Sequence, residues 1–191
     1  MPDLWLASTS PYRRRVLQAA GIPARAESPG VGEESDETDP VRLAGELAVR
    51  KAVAVSARNP SGWVIGADQV AYDLVDRVPF GKPRDPEDHL RMLRGMVGRS
   101  HALVTGVALV GPGFVDTLHD ETVMRVRADL EDDELRAYVA TGEGSGCAGG
   151  YAAEGRGAFL FERIDGDFFN VVGLPVLRVI GLMRARGWRF R

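Results

Sequence analysis

Cysteine is almost missing from this chain: Cys147 is the only one in 191 residues. That excludes an intramolecular disulfide and any cysteine-rich metal cluster. Histidine is scarce as well, and three scattered copies give no zinc-site spacing. No apolar run is long enough to span a bilayer, and no signal-peptide pattern is present, so a cytoplasmic location is expected. The net charge is only -3, which gives no whole-protein attraction to nucleic acid or to an acidic membrane surface. Any anion binding must therefore be local. What remains is ordinary for a soluble chain: 45% hydrophobic and 27% charged residues, at a length that predicts one domain over 1–191 with a sizeable core.

The densest local signal runs from Leu6 to Leu17. Leu4 to Ala7 reads as a short buried strand, followed by Ser8, Thr9 and Ser10. Ser10-Pro11 is a helix start, with serine as N-cap and proline at the first helical position. Arg13, Arg14 and Arg15 follow at once. Cations at a helix N-terminus oppose the macrodipole. They make sense if an anion sits there, held by free main-chain N–H groups, hydroxyls and guanidinium forks. The alternative is a solvated basic helix face.

Further along, 22–38 reads as a long acidic loop carrying Glu33, Glu34, Asp36 and Glu37, either solvated or facing a metal ion. Asp39-Pro40 starts a helix to about Ala57, with Lys51 in its later half. Trp63 to Gly66 is a buried strand that breaks at Ala67-Asp68-Gln69 and resumes at Val70. An aspartate emerging from such a strand needs a partner: a cap, a cation or a metal. Gly81-Lys82-Pro83 is a stiff segment that can aim its amine. Asp85-Pro86 starts a third helix. His101 to Val110 is a strand whose Gly106 marks a bulge or a close main-chain approach. Glu121 to Ala128 alternates as a strand, and Glu131 heads a helix. A loop with seven glycines spans 142–157 and contains Glu154, but lacks the Walker A pattern. Ala158 to Ile164 reads as a strand, and a last helix ends before Gly187. Turn signals at 73–77, Pro112-Gly113 and Asp165-Gly166 argue against a purely parallel sheet. The fold class expected is α/β, with a mixed, largely antiparallel sheet flanked by helices.

Taken together, Leu6-Ala7-Ser8-Thr9-Ser10-Pro11-x-Arg13-Arg14, Gly66-Ala67-Asp68, Gly81-Lys82-Pro83, Thr105-Gly106-Val107, Cys147-Ala148-Gly149 and Asn170-Val171-Val172-Gly173-Leu174-Pro175 resemble, in order and spacing, the Maf family of nucleoside triphosphate pyrophosphatases. The resemblance implies an elongated mixed sheet with a cleft between two lobes. It implies hydrolysis of a nucleoside triphosphate to the monophosphate and pyrophosphate, with Mg²⁺ or Mn²⁺. It also implies a homodimer.

Carried onto this chain, the resemblance makes Asp68 the proton acceptor and a metal ligand, and Glu33 its partner on the metal. Ser8 and Arg13 would hold phosphates. Lys51 and Lys82 would neutralise charge on the leaving pyrophosphate, with Arg14 as a weaker candidate. The chain departs from the family at Val31-Gly32-Glu33-Glu34, where relatives carry Val-Asp-Glu.

Family members acting on thymidine and uridine triphosphates have threonine after Gly-x-Asp, an Asp-Lys-Ala-Gly stretch and a later glutamine. Here stand Gln69, Gly146-Cys147-Ala148-Gly149 and Glu154, which resembles the subgroup acting on 7-methylguanosine triphosphate. The chemistry is consistent. A carboxylate such as Glu154 can accept from guanine N1–H and N2–H. An aromatic face such as Tyr12 suits a cationic base, and Gln69 can add a hydrogen bond. The alternatives are dTTP, UTP or another pyrimidine nucleotide, or a nucleotide-binding regulator of septum formation without turnover.

Overall fold

The computed structural model describes residues 2–190. Seven strands form one sheet: β1 (Leu4–Ala7), β2 (Arg25–Glu27), β3 (Trp63–Asp73), β4 (Pro79–Phe80), β5 (Ser100–Gly111), β6 (Phe114–Val126) and β7 (Phe161–Asp165). The order is β2-β1-β3-β5-β6-β7, with β4 paired to β3. β1 is parallel to both β2 and β3, and every other pairing is antiparallel. Among the described residues six α-helices complete the fold: α1 (Pro11–Ala19), α2 (Pro40–Ser56), α3 (Pro86–Met96), α4 (Asp132–Ala140), α5 (Phe168–Val172) and α6 (Val176–Ala185). Among the described residues no helix is long and apolar enough to cross a membrane. The α/β class and the mixed, largely antiparallel sheet are as the sequence predicts.

Three helix starts follow from local chemistry. The side chains of Ser10, Asp39 and Asp85 each cap a helix whose next residue is proline, and each accepts from a main-chain N–H of the first turn. Elsewhere the elements differ from the sequence reading. β2 lies inside the expected acidic loop. β3 runs unbroken through Asp68, with every residue from Val64 to Asp73 in register with β5. β6 begins at Phe114, not Glu121, and 156–160 forms a 3-10 turn before β7. Phe168–Val172 is a short helix.

The two faces of the sheet are covered differently. On one face lies α2, with Ala44, Ala48 and Ala52 fully buried along its length. The opposite face carries two apolar clusters side by side. The first gathers Leu6, Leu17, Ile65, Ala67, Val107, Leu109, Leu174 and Met183. The second gathers Ala71, Leu90, Leu103, Leu135, Tyr151 and Leu160. Between them sit Gln69 and Thr105, a cross-strand pair joined by a side-chain hydrogen bond. A polar pair placed there divides the molecule into two lobes.

The edge of β3 away from β5 is also divided. β1 pairs with it as far as Gly66, and β4 pairs with it from Ala71. Ala67 to Val70 therefore have no strand on that side, and a cleft opens there. Asp68 is thus not at a strand end. It stands at mid-strand, beside a gap in the sheet edge.

Candidate active site

The gap leads into a cavity of about 370 Å³ between the lobes. Nine of the residues named above as catalytic, substrate or metal candidates line it: Ser8, Tyr12, Arg13, Glu33, Lys51, Asp68, Gln69, Lys82 and Glu154. Arg14 does not, and it is exposed on the outer face of α1. Because β3 is extended, Asp68 and Gln69 point to opposite faces of the sheet. The missing edge strand lets both reach one cavity.

At the centre stands Lys51. Its Nζ donates to Asp68 Oδ1 and to Glu33 Oε1, each at 2.5 Å. Lys51 and Asp68 are buried, whereas Glu33 is more than half exposed at the mouth. The hydrogen bond from Lys51 holds the Glu33 carboxyl below its usual pKa range, against the opposing effect of burial. The loop bearing Glu33 is itself tied to α2. Arg50 Nη1 donates to the main-chain oxygens of Gly32 and Glu34, at 3.0 and 2.9 Å. Glu34 does not reach the cavity, so the register departure in this loop still delivers one carboxylate.

The first turn of α1 forms the adjoining wall. Ser8 is buried, and its Oγ accepts from Ser10 N at 3.1 Å and from Arg13 Nη1 at 3.4 Å. Arg13 Nε donates to the Gly173 carbonyl at 2.9 Å. Desolvation lowers the Arg13 pKa, opposed by the carboxylates of Asp68 and Glu33. Lys82 reaches in from the opposite lobe and is exposed.

The far wall belongs to the glycine loop. His89 Nε2 and the Gly150 carbonyl oxygen are 2.5 Å apart, and Ala152 N donates to Tyr138 Oη at 3.1 Å. Glu143 accepts from the main-chain N–H groups of Arg156 and Gly157, both at 3.1 Å. This frame presents Glu154 and Cys147 to the cavity opposite Tyr12. Burial first, then Cys147 and Glu154, push the Tyr12 hydroxyl up to about 12. Burial also raises the Cys147 thiol, so no thiolate is favoured there.

The cavity thus combines a buried ammonium between two carboxylates, a helix N-terminus with an arginine, and a second lysine. That is a set of groups suited to a phosphate chain and a water molecule. The family model for Maf-like protein matches residues 3–186. The chain belongs to the Maf-like family.

This Maf-like chain is 45% identical over 189 residues to a dTTP/UTP pyrophosphatase of Thermus thermophilus, covering 98% of this chain and 97% of the relative. It is 42% identical to a dTTP/UTP pyrophosphatase of Symbiobacterium thermophilum, with 98% and 96% covered. Among solved structures, the Staphylococcus aureus Ham1 protein matches at TM-score 0.48 and 12% identity, covering 66% of this chain and 72% of that one. The relatives' names correspond to the pyrimidine-nucleotide alternative and not to the 7-methylguanosine subgroup expected from Gln69 and Glu154.

Two groups near the site have no assigned role in the sequence reading: Asn170 and Thr105. Both lie within motifs that carry the family resemblance, so the signal was present without a chemical reading.

Proposed function

We propose that this Maf-like chain hydrolyses dTTP and UTP to the monophosphate and pyrophosphate. The observation that carries the reading is Lys51 Nζ at 2.5 Å from both Asp68 and Glu33, inside a cavity that also holds Arg13 and Lys82. The names of relatives at 45% and 42% identity over nearly the whole chain support the choice of nucleotide.

In this mechanism the triphosphate lies against Ser8, the first turn of α1 and the Arg13 guanidinium, with Lys82 facing it from the other lobe. Asp68 accepts a proton from a water molecule that attacks the α-phosphorus. The α–β bridging oxygen leaves with pyrophosphate. Lys51 and Lys82 stabilise the negative charge that collects on it. The wall of Tyr12, Cys147 and Glu154 surrounds the base.

The donor set fits a hard divalent cation. Glu33 and Asp68 are two convergent carboxylates, and Mg²⁺ is commonly held by one or two carboxylates with water and substrate phosphates completing its shell. The charge balance agrees: the cavity's three cations, Arg13, Lys51 and Lys82, face three carboxylates, Glu33, Asp68 and Glu154. A bound triphosphate would leave an excess of negative charge. Glu33 and Asp68 would hold Mg²⁺ or Mn²⁺, which supplies Lewis-acid polarisation of the phosphates and lowers the pKa of bound water.

One observation favours a second reading, 7-methylguanosine triphosphate. The Glu154 carboxylate stands in the cavity with no hydrogen-bond or ion-pair partner among the described side chains. A uracil or thymine edge offers one N–H between two carbonyls, whereas guanine offers two adjacent donors. The deciding experiment is pyrophosphate release from dTTP, UTP, CTP, GTP and 7-methyl-GTP, with and without Mg²⁺. Highest kcat/KM on UTP and dTTP supports the first reading, and a clear preference for 7-methyl-GTP replaces it with the second. Tight binding of nucleotides with no release from any of them would make the chain a binding protein.

A further inference from the structure

The segment from Asp167 to Gly173 crosses the junction of the two lobes, tied down by groups that no step above uses. Asn170 is fully buried. Its Nδ2 donates to the Leu103 carbonyl on β5 and to Thr122 Oγ1 on β6, both at 3.0 Å. Its main-chain oxygen accepts twice, from Gly173 N at 2.9 Å and from Gln69 Nε2 at 2.6 Å. Gln69 Nε2 also donates to Thr105 Oγ1 at 3.1 Å. A primary amide has two N–H donors, so both of Gln69's are used within the protein. They are not free for a base.

The other end of the segment reaches the phosphate side. Gly173, at φ 114°, occupies the left-handed region that favours glycine. Its carbonyl accepts from Arg13 Nε. Arg13 Nη1 rests on Ser8 Oγ, while Nη2 has no protein partner among the described residues. The rigid guanidinium fork is therefore oriented at one nitrogen by Gly173, with another left for a ligand.

We propose that Gln69 is a positioning residue for Arg13. Its amide fixes the Asn170 carbonyl, hence the Asn170–Gly173 turn, hence the direction in which the Gly173 carbonyl holds the guanidinium. This reading of Gln69 rests on the phosphate-binding role given to Arg13 above. It assigns to the residue after Asp68 an effect on phosphate affinity that is blind to the base.

Inorganic tripolyphosphate has no base and needs no turnover, so it separates the two roles. Calorimetry would compare its binding to wild type, Gln69→Leu, Arg13→Lys and the double variant, alongside kcat and KM on UTP and 7-methyl-GTP. Expected is a five- to tenfold weaker tripolyphosphate affinity in Gln69→Leu, about the size of one ordinary intramolecular hydrogen bond. The double variant should bind no more weakly than Arg13→Lys alone, because the two residues act through one contact. The loss in kcat/KM should be the same factor on both nucleotides. Unchanged tripolyphosphate affinity, or a loss confined to one base, would overturn the proposal, as would a lowered Tm with phosphate binding intact. If the leucine variant does not fold, Gln69→Thr carries the same expectation, since it is too short to reach the Asn170 carbonyl. Wild-type protein with no affinity for tripolyphosphate would overturn both this inference and the phosphate-binding reading. A chain that binds tripolyphosphate yet hydrolyses nothing would overturn only the proposed activity, and the comparison of variants would still decide the role of Gln69.

Discussion

Gly66 on β3 faces Ala48 on α2 so closely that a Cβ on the glycine would fall 2.3 Å from the Ala48 carbonyl oxygen. Gly106 on β5 stands in the same relation to the Ala44 carbonyl, also at 2.3 Å. The helix can lie at main-chain range from the sheet only because both side chains are absent. Lys51 is three residues beyond Ala48, and Asp68 two residues beyond Gly66 on the same face. Their contact follows from that approach.

Replacing Gly66 with alanine should therefore push α2 away from β3. The expected cost is about 1–3 kcal/mol, typical of overpacking a tight core. Pyrophosphate release should fall as well, because Lys51 moves relative to Asp68. Denaturant unfolding and a turnover assay on the same protein check this. A variant with unchanged stability and activity would show that the close approach does not place the pair.

Lys51→Met leaves a buried carboxylate without its cation. Removing one partner of a buried pair costs about 3–5 kcal/mol. Adding Asp68→Leu to the methionine variant should restore most of the stability and none of the activity. Urea midpoints of the single and double variants measure this directly. Equal instability in both would mean that the lysine contributes mainly through packing.

Asp68→Asn keeps the shape and removes the proton acceptor. Pyrophosphate release should drop by about 10²–10⁴, the usual range for a general base. Circular dichroism should show a native fold, with a melting point lowered less than in Lys51→Met, because Lys51 keeps its contact to Glu33. A folded asparagine variant with near-normal release would remove Asp68 from that role.

Glu154→Gln distinguishes the two nucleotide readings. If the carboxylate accepts from a guanine edge, kcat/KM on 7-methyl-GTP falls far more than on UTP. If the pocket serves pyrimidines, the ratio moves little. Equal losses on both nucleotides would mean that Glu154 does not read the base.

His101 supplies a pH dependence of stability that does not involve the cavity carboxylates. It is buried, with its Nε2 2.5 Å from Tyr151 Oη, and burial depresses its pKa from 6.5 to about 4. The unfolded chain therefore takes up this proton first. The contribution is fully present above about pH 6.5 and is lost as the pH falls toward 4. The full difference amounts to about 3 kcal/mol. Unfolding free energies measured across that range should slope upward with pH, and His101→Phe should flatten this part of the curve. An unchanged slope in the variant would assign the acid sensitivity to other groups.

The features legible in the sequence were those determined by near neighbours. Ser10-Pro11, Asp39-Pro40 and Asp85-Pro86 each carry a helix start within two residues. Gly106 announced a close approach that turned out to be α2. β2 escaped because three residues, two of them exposed, carry no periodicity. The expected break at Asp68 came from a sound local rule, that a charge does not sit inside a strand alone. The partner that makes it tolerable, Lys51, lies 17 residues away on a helix. Nothing local marks Gln69 and Thr105 as the boundary between two lobes. That becomes visible only when β3 and β5 are aligned. The site residues were nameable because the family pattern carries them, but the exclusion of Arg14 and Glu34 from the cavity required the fold.

The gap in the edge of β3 has a bearing on solubility. Unpaired strand edges recruit other chains, and proteins normally shield them. Here the open stretch is Ala67 to Val70, four residues, or roughly 13 Å of strand. β1 closes one end and β4 the other, and a charged side chain stands in the middle. A foreign strand of ordinary length finds no room to dock, while a small ligand does. The protein thus brings the centre of β3, at Asp68 and Gln69, to the wall of a ligand cavity without offering a seed for intermolecular sheet growth.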